Sequence, residues 1–205
     1  MTQHARVPVP ERCSRRPRSA GLVVPYISYT HNGHALFGSA DPRRMREAFL
    51  GHLCQICGQP LGRRLWLIAR PADIARGSSP EPGLHPECRH YAQHACPVLN
   101  GRSRRYRDHT ALTSHPAMRP CNDPGCTCRA VCPSADAPHR SSRLVERYDA
   151  VRIALSDYRL TLDETGQPDG ISLQVPILRT LRMREAALAE RDQSALDLLQ
   201  ELLSL

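Results

Sequence analysis

The side chains best suited to chemistry in this chain are its cysteines, and they come in patterns. Cys54-Gln55-Ile56-Cys57-Gly58 and His85-Pro86-Glu87-Cys88 each place two ligand-type residues two positions apart. A tight turn lets such a pair present two donors to one ion, and a long spacer brings the second pair round to complete a tetrahedron. Cys54, Cys57, His85 and Cys88 are therefore the donor set expected of a structural Cys3His zinc site. Gly58 can take a positive φ, which turns backbone N–H groups in towards the thiolates. His90 and His94 stand nearby as substitutes for His85, although outside the two-residue spacing. Cys96 falls outside the pattern and reads as a small buried hydrophobe.

A second group, Cys121, Cys126, Cys128 and Cys132, packs four thiols into twelve residues. Four soft ligands so close together can wrap a second metal unaided, zinc by default and an iron–sulfur cluster as the alternative. Its spacing matches neither common zinc fingers nor ferredoxin runs, and reduced thiols in a loop are the plainer reading. His109, His115 and His139 could replace one thiol. Cys13 is left over with no assigned role.

Arginine carries all the basic charge: 28 residues, with no lysine, for a net charge of +8. Residues 1–140 hold 20 arginines against 9 acids, whereas residues 141–205 hold 8 against 11. A basic first half points to a polyanion, most plausibly nucleic acid, as partner. Arg102, Arg104, Arg105 and Arg107 with the interleaved Tyr106 form the densest patch, able to pair with phosphates and stack a base. Arg43 and Arg44 are further candidates. Arginine, alanine and proline codons are GC-rich, so genome composition inflates this signal, and a solvated basic surface is an equal alternative.

These residues need elements to position them. Residues 1–20 read as a disordered basic arm interrupted by Pro8, Pro10 and Pro17. Leu22 to Tyr29 is β-prone, with Pro25 confining it to an edge. Asp41-Pro42 opens a helix, as N-cap and first helical residue, with Met45, Phe49 and Leu53 as its apolar stripe. Leu65 to Ala69 reads as a strand, Gly77 to Gly83 as a loop, and His85-Pro86 as the start of a helix to Cys96. Beyond Ser142, Leu144, Tyr148, Val151, Leu155, Tyr158 and Leu162 recur in steps of four and three, a 3.5-residue seam. Gly166, Pro168 and Gly170 break it, and a second pattern follows at Ile177, Leu181, Arg184 and Leu188, then Leu198, Leu199 and Leu202. The pattern predicts two antiparallel helices.

The expected fold is thus small and α+β: a treble-clef-like zinc module, a second Cys-rich loop and a C-terminal α-helical hairpin. Its parts are an arm over 1–20, the zinc module over 21–100, a basic linker with the second cluster over 101–140, and a helical tail over 141–205. With only nine aromatic residues in 205, the first part cannot build a large apolar core, and metal cross-links would supply stability. No apolar stretch follows the basic N-terminus and none is long enough to span a membrane, so the chain reads as cytoplasmic, with its cysteines reduced.

Arg44-Met45-Arg46, Leu53 to Gly58, His85 to Cys88, Ala95-Cys96-Pro97-Val98-Leu99 and the upstream Val24-Pro25-Tyr26-Ile27 resemble a group of cysteine-rich, treble-clef zinc-finger-like proteins of high-GC actinobacteria and their phages. The resemblance covers about a third of the chain and implies a zinc module. HNH nucleases share the treble clef but need a catalytic histidine on the hairpin, and Leu65 to Arg76 contains none. WhiB-like iron–sulfur regulators carry a third cysteine soon after a CxxC, and none follows Cys57 before Cys88.

The expected function is a non-catalytic zinc-binding protein that contacts DNA or RNA through arginine-rich surfaces. One alternative is a zinc-stabilised adaptor whose tail, 141–205, docks a protein partner or a second copy. Another is an enzyme, either a degenerate HNH-like nuclease or a thiol redox protein using Cys54 and Cys57.

Overall fold

A computed structural model of the chain describes residues 7–31, 34–106, 140–188 and 192. Ten strands and three helices are defined there, and the strands form four small antiparallel sheets. The core is built by two segments far apart in sequence. Strand β5 (Arg64–Ala69) pairs along its whole length with β7 (Tyr148–Ala154), and β10 (Arg179–Arg184) flanks β7 on its other edge. The register sets Trp66 opposite Arg152 and Leu67 opposite Val151. Leu65, Leu67, Ala150 and Ile153 are completely buried, so both faces of the middle strand are covered.

The second three-stranded sheet has the order β6-β9-β8, from Ser78–Ser79, Pro168–Ser172 and Leu160–Leu162. Its hairpin turns at Asp163, whose carboxylate accepts from the backbone of Thr165 and Gln167, with Gly166 at φ +77°. Gly170 has no room for a side chain: a Cβ would lie 2.6 Å from the Ser79 carbonyl oxygen. Two short hairpins complete the strands, β1 (Arg18–Ser19) with β2 (Leu22–Val23) and β3 (Ser28–His31) with β4 (His34–Ala40).

Helix α1 (Pro42–Leu50) starts where the sequence expects it. Asp41 accepts from the N–H groups of Arg43 and Arg44, and Phe49 is buried. Helix α3 (Pro86–Ala95) likewise begins at His85-Pro86. Helix α2 (Pro71–Arg76) follows β5 directly. Pro71 starts this helix, and Gly77 closes it at φ +76°. The Arg70 guanidinium and backbone N–H both bond Asp73 at 2.8–2.9 Å in a buried ion pair.

The C-terminal α-helical hairpin is absent: described residues 141–188 supply β7, β8, β9 and β10 instead. The 3.5-residue seam misled because β7 is buried on both faces, which erases the alternation that marks a strand. Val151 and Ile153, both β-branched, suit the strand better than a helix. Leu198, Leu199 and Leu202 lie outside the described residues. The treble clef is not found either. The hairpin it needs between the ligand pairs is replaced by β5, α2 and β6, and β5 takes its partner from β7. The arm is not loose where it is described: Glu11–Cys13 forms a 3-10 turn, with Cys13 fully buried. No helix among the described residues is long and apolar enough to cross a membrane.

Candidate metal centre

Helix α1 delivers the chain to the first ligand pair. Leu53 donates to Ala48 at the helix end, and a bridge between Leu53 and Pro60 closes the loop that holds Cys54 and Cys57. Inside that loop Cys54 N–H bonds the Gln59 carbonyl at 2.9 Å and Gly58 N–H bonds the Cys54 carbonyl at 2.8 Å. Gly58 sits at φ +75°, and a Cβ there would fall 2.6 Å from the Tyr26 ring. Only glycine fits both constraints.

The second pair is fastened to the first by backbone. Gln55 N–H bonds the Gly83 carbonyl at 3.0 Å, and the Gln55 amide nitrogen donates to Pro82 at 2.8 Å. Leu84 and Trp66 exchange two bonds at 2.8 and 3.0 Å, setting His85 against the apolar core. Tyr26 N–H donates to the Ile56 carbonyl, so the expected β-prone run lies along the turn. His85 caps α3 and Cys88 lies in its first turn, where free N–H groups and the helix dipole favour a thiolate.

The donor atoms of Cys54, Cys57, His85 and Cys88 all lie within 4.8 Å of one another, and all four residues are buried. His85 Nδ1 is 3.4 Å from Cys57 Sγ, while Nε2 is 2.9 Å from the Pro60 carbonyl oxygen. A carbonyl can only accept, so Nε2 carries a proton, and Nδ1 is the ring nitrogen that faces the thiols. The thiol of Cys57 is held far below its ordinary value, first by Cys54 and then by Cys88. His85 is pushed up to about 10 by its contacts with Cys54 and then Cys57.

The donor set fits a four-coordinate ion. Sulfurs bound at about 2.3 Å in a tetrahedron stand about 3.8 Å apart, within the spread seen here. The cluster could therefore hold a metal ion. It is the one such group among the described residues.

Cys13 is a neighbour that the sequence did not reveal. It is fully buried, and its interaction with Cys88 is the largest influence on both thiols, lowering Cys13 and raising Cys88. Arg12 beside it bonds Glu87 at 2.6 Å and Gln59 at 3.0 Å, bridging the two ligand pairs. A ninth cysteine inside a basic, proline-broken segment was the available signal, but nothing local says where the segment lies.

The remaining candidates are placed apart. His90 and His94 stack on each other at 4.3 Å and do not join the cluster, and Cys96 is partly buried outside it. Arg44 donates to the carbonyls of Tyr26 and Ser28 and lies 5.9 Å from the Tyr26 ring. Arg43 is exposed on α1. Arg102, Arg104 and Arg105 donate to the carbonyls of Ala95, Leu188 and Ser142. Tyr106 bonds the Tyr148 hydroxyl at 3.1 Å under the Arg140 guanidinium. This expected patch therefore braces loops with many of its donors. Arg107, the group Cys121, Cys126, Cys128 and Cys132, and His109, His115 and His139 lie outside the described residues. No family model, curated protein or solved structure matches the chain, so its own geometry carries the functional argument.

Proposed function

We propose that this chain is a non-catalytic zinc protein that binds nucleic acid, with the metal fastening the Cys54–Gly58 turn to α3 beneath an arginine-bearing surface. The observation that carries the reading is the buried cluster of three thiols and one imidazole. Sulfur and nitrogen donors in that ratio suit zinc, and four protein ligands leave no open position for a substrate. Burial makes the site a cross-link rather than a reaction centre. The nucleic-acid part rests on a net charge of +8 carried wholly by arginine, the side chain whose planar fork matches phosphate.

Metal analysis of purified protein tests the first part: zinc is expected, and Cys54→Ser should remove one equivalent. A cluster that holds no zinc when purified without chelator, or one whose thiols react freely, would overturn it. A salt titration with single- and double-stranded oligonucleotides tests the second, because affinity for phosphates falls steeply with salt. Absence of binding to any DNA or RNA at low ionic strength would remove it.

A further inference from the structure

We propose that Arg89, Arg152 and Arg179, gathered around Trp66 on one face of the β5–β7–β10 sheet, bind the phosphates of a nucleic-acid strand. The inference rests on the nucleic-acid reading above and gives it a location that the sequence did not offer. Strand register builds the row. Trp66 pairs with Arg152, and Arg152 pairs with Arg179 on the other side, so the three side chains share a face. Helix α3 adds Arg89, whose guanidinium lies 5.2 Å from the Trp66 ring centroid, while that of Arg152 lies at 5.6 Å. Trp66 is only 5% exposed, so it positions the guanidinium groups by cation–π contact and does not itself stack on a base.

The two faces of this sheet treat arginine differently. On the opposite face Arg182 and Arg147 are both paired with Asp149, at 2.7 and 3.0 Å. On the Trp66 face, among the described residues, none of the three arginines has a carboxylate partner, and Arg152 and Arg179 have no side-chain hydrogen bond. Arg89 bonds only Gln93, and the Nε atoms of Arg89 and Arg152 are buried without an acceptor. Holding three cations together costs free energy unless an anion joins them. A strand with successive phosphates offers several, each able to take a bidentate guanidinium contact. Arg102, Arg104 and Arg105, by contrast, already spend donors on carbonyls.

Trp66 is the one tryptophan of the chain, so its emission reports this face alone. The experiment titrates zinc-loaded full-length protein with a labelled oligonucleotide, following anisotropy and Trp66 emission together. Both signals should share one midpoint. Arg179→Ala, on an exposed stretch of β10, and the pair Arg152→Ala/Arg179→Ala should each weaken binding by roughly 10-fold per arginine and lower the log–log salt slope by about 1 per arginine. Arg182→Ala removes the same charge from the opposite face and should leave the emission change intact. Circular dichroism and zinc content equal to wild type establish that the variants are folded. If the oligonucleotide binds but Arg179→Ala and the pair bind like wild type with emission unmoved, this site is wrong and the nucleic-acid reading survives. If no oligonucleotide binds at low salt, both fall. If inorganic phosphate shifts the emission while no oligonucleotide does, the face is a small-anion site and the nucleic-acid assignment is overturned.

Discussion

The metal-ligand region and the three-stranded sheet lie side by side and are stabilised by opposite means. Around Cys54, Cys57, His85 and Cys88 the chain turns back on itself within a few residues and is held by backbone bonds and four polar donors. The β5–β7–β10 sheet is held by Leu65, Leu67, Ala150 and Ile153, all withdrawn from water. One region rests on backbone bonds around a donor cluster that could hold a metal ion, the other on burial of apolar surface. With so few aromatic residues, neither region can be large, and the Trp66–Leu84 bridge joins them.

The largest expected effect comes from removing the proposed zinc. Structural zinc in small fingers contributes on the order of 10–16 kcal/mol of apparent binding free energy, more than any single side chain. Chelation, or Cys57→Ser, should abolish hydrogen-exchange protection over 54–58 and the start of α3 while β7 stays protected. Acidification should act the same way, because protons compete for the thiolates and for His85 Nδ1 as the pH falls. Simultaneous loss of protection in β7 would break the comparison and show one cooperative unit.

Asp73→Ala comes next. It removes the carboxylate that bonds Arg70 in a pair whose side chains are only 7% and 3% exposed. Breaking a buried pair strands the partner's charge, and a loss of about 3 kcal/mol in denaturant midpoint analysis is expected. The low end of the usual range applies because Glu81 also feels the Arg70 charge. Ile153→Val should cost less, about 1 kcal/mol, since one methylene leaves a fully buried site. Neither change should alter zinc content. Loss of zinc in either variant would mean that the sheet carries the metal site.

The same contrast explains what could be read from the chain alone. Both helices that flank the ligands announce themselves locally, through Asp41-Pro42 and His85-Pro86, and the Cys54–Gly58 turn does so through its two-residue spacing. The strand at Leu65 was legible too, but its partner was not. Pairing β5 with β7 joins segments separated by α2, α3 and a long connection, and no local signal records that choice. The heptad-like spacing after Leu144 favoured helices because hydrophobic residues on both faces of a central strand satisfy almost any period. Cys13 and Arg12 were missed for a related reason: their partners Cys88, Glu87 and Gln59 are distant in sequence.

Arg12→Ala probes how far the metal-ligand region depends on that distant segment, and its effect on stability should be the smallest. The Arg12–Glu87 pair is nearly half exposed, at 47% and 44%, so water screens it and the expected loss is below about 1 kcal/mol. Its position gives it a second consequence. Arg12 holds Glu87, next to Cys88, and Gln59, two residues after Cys57, and so spans both ligand pairs from outside. Releasing it should speed zinc transfer to a chelator while leaving the denaturation midpoint nearly unchanged, because the pairs must separate before the ion leaves. Gln59→Ala, which cuts only one of the two bonds, should give a smaller acceleration. Equal release rates for wild type and both variants would show that coordination alone closes the site and that the N-terminal turn merely rests on it.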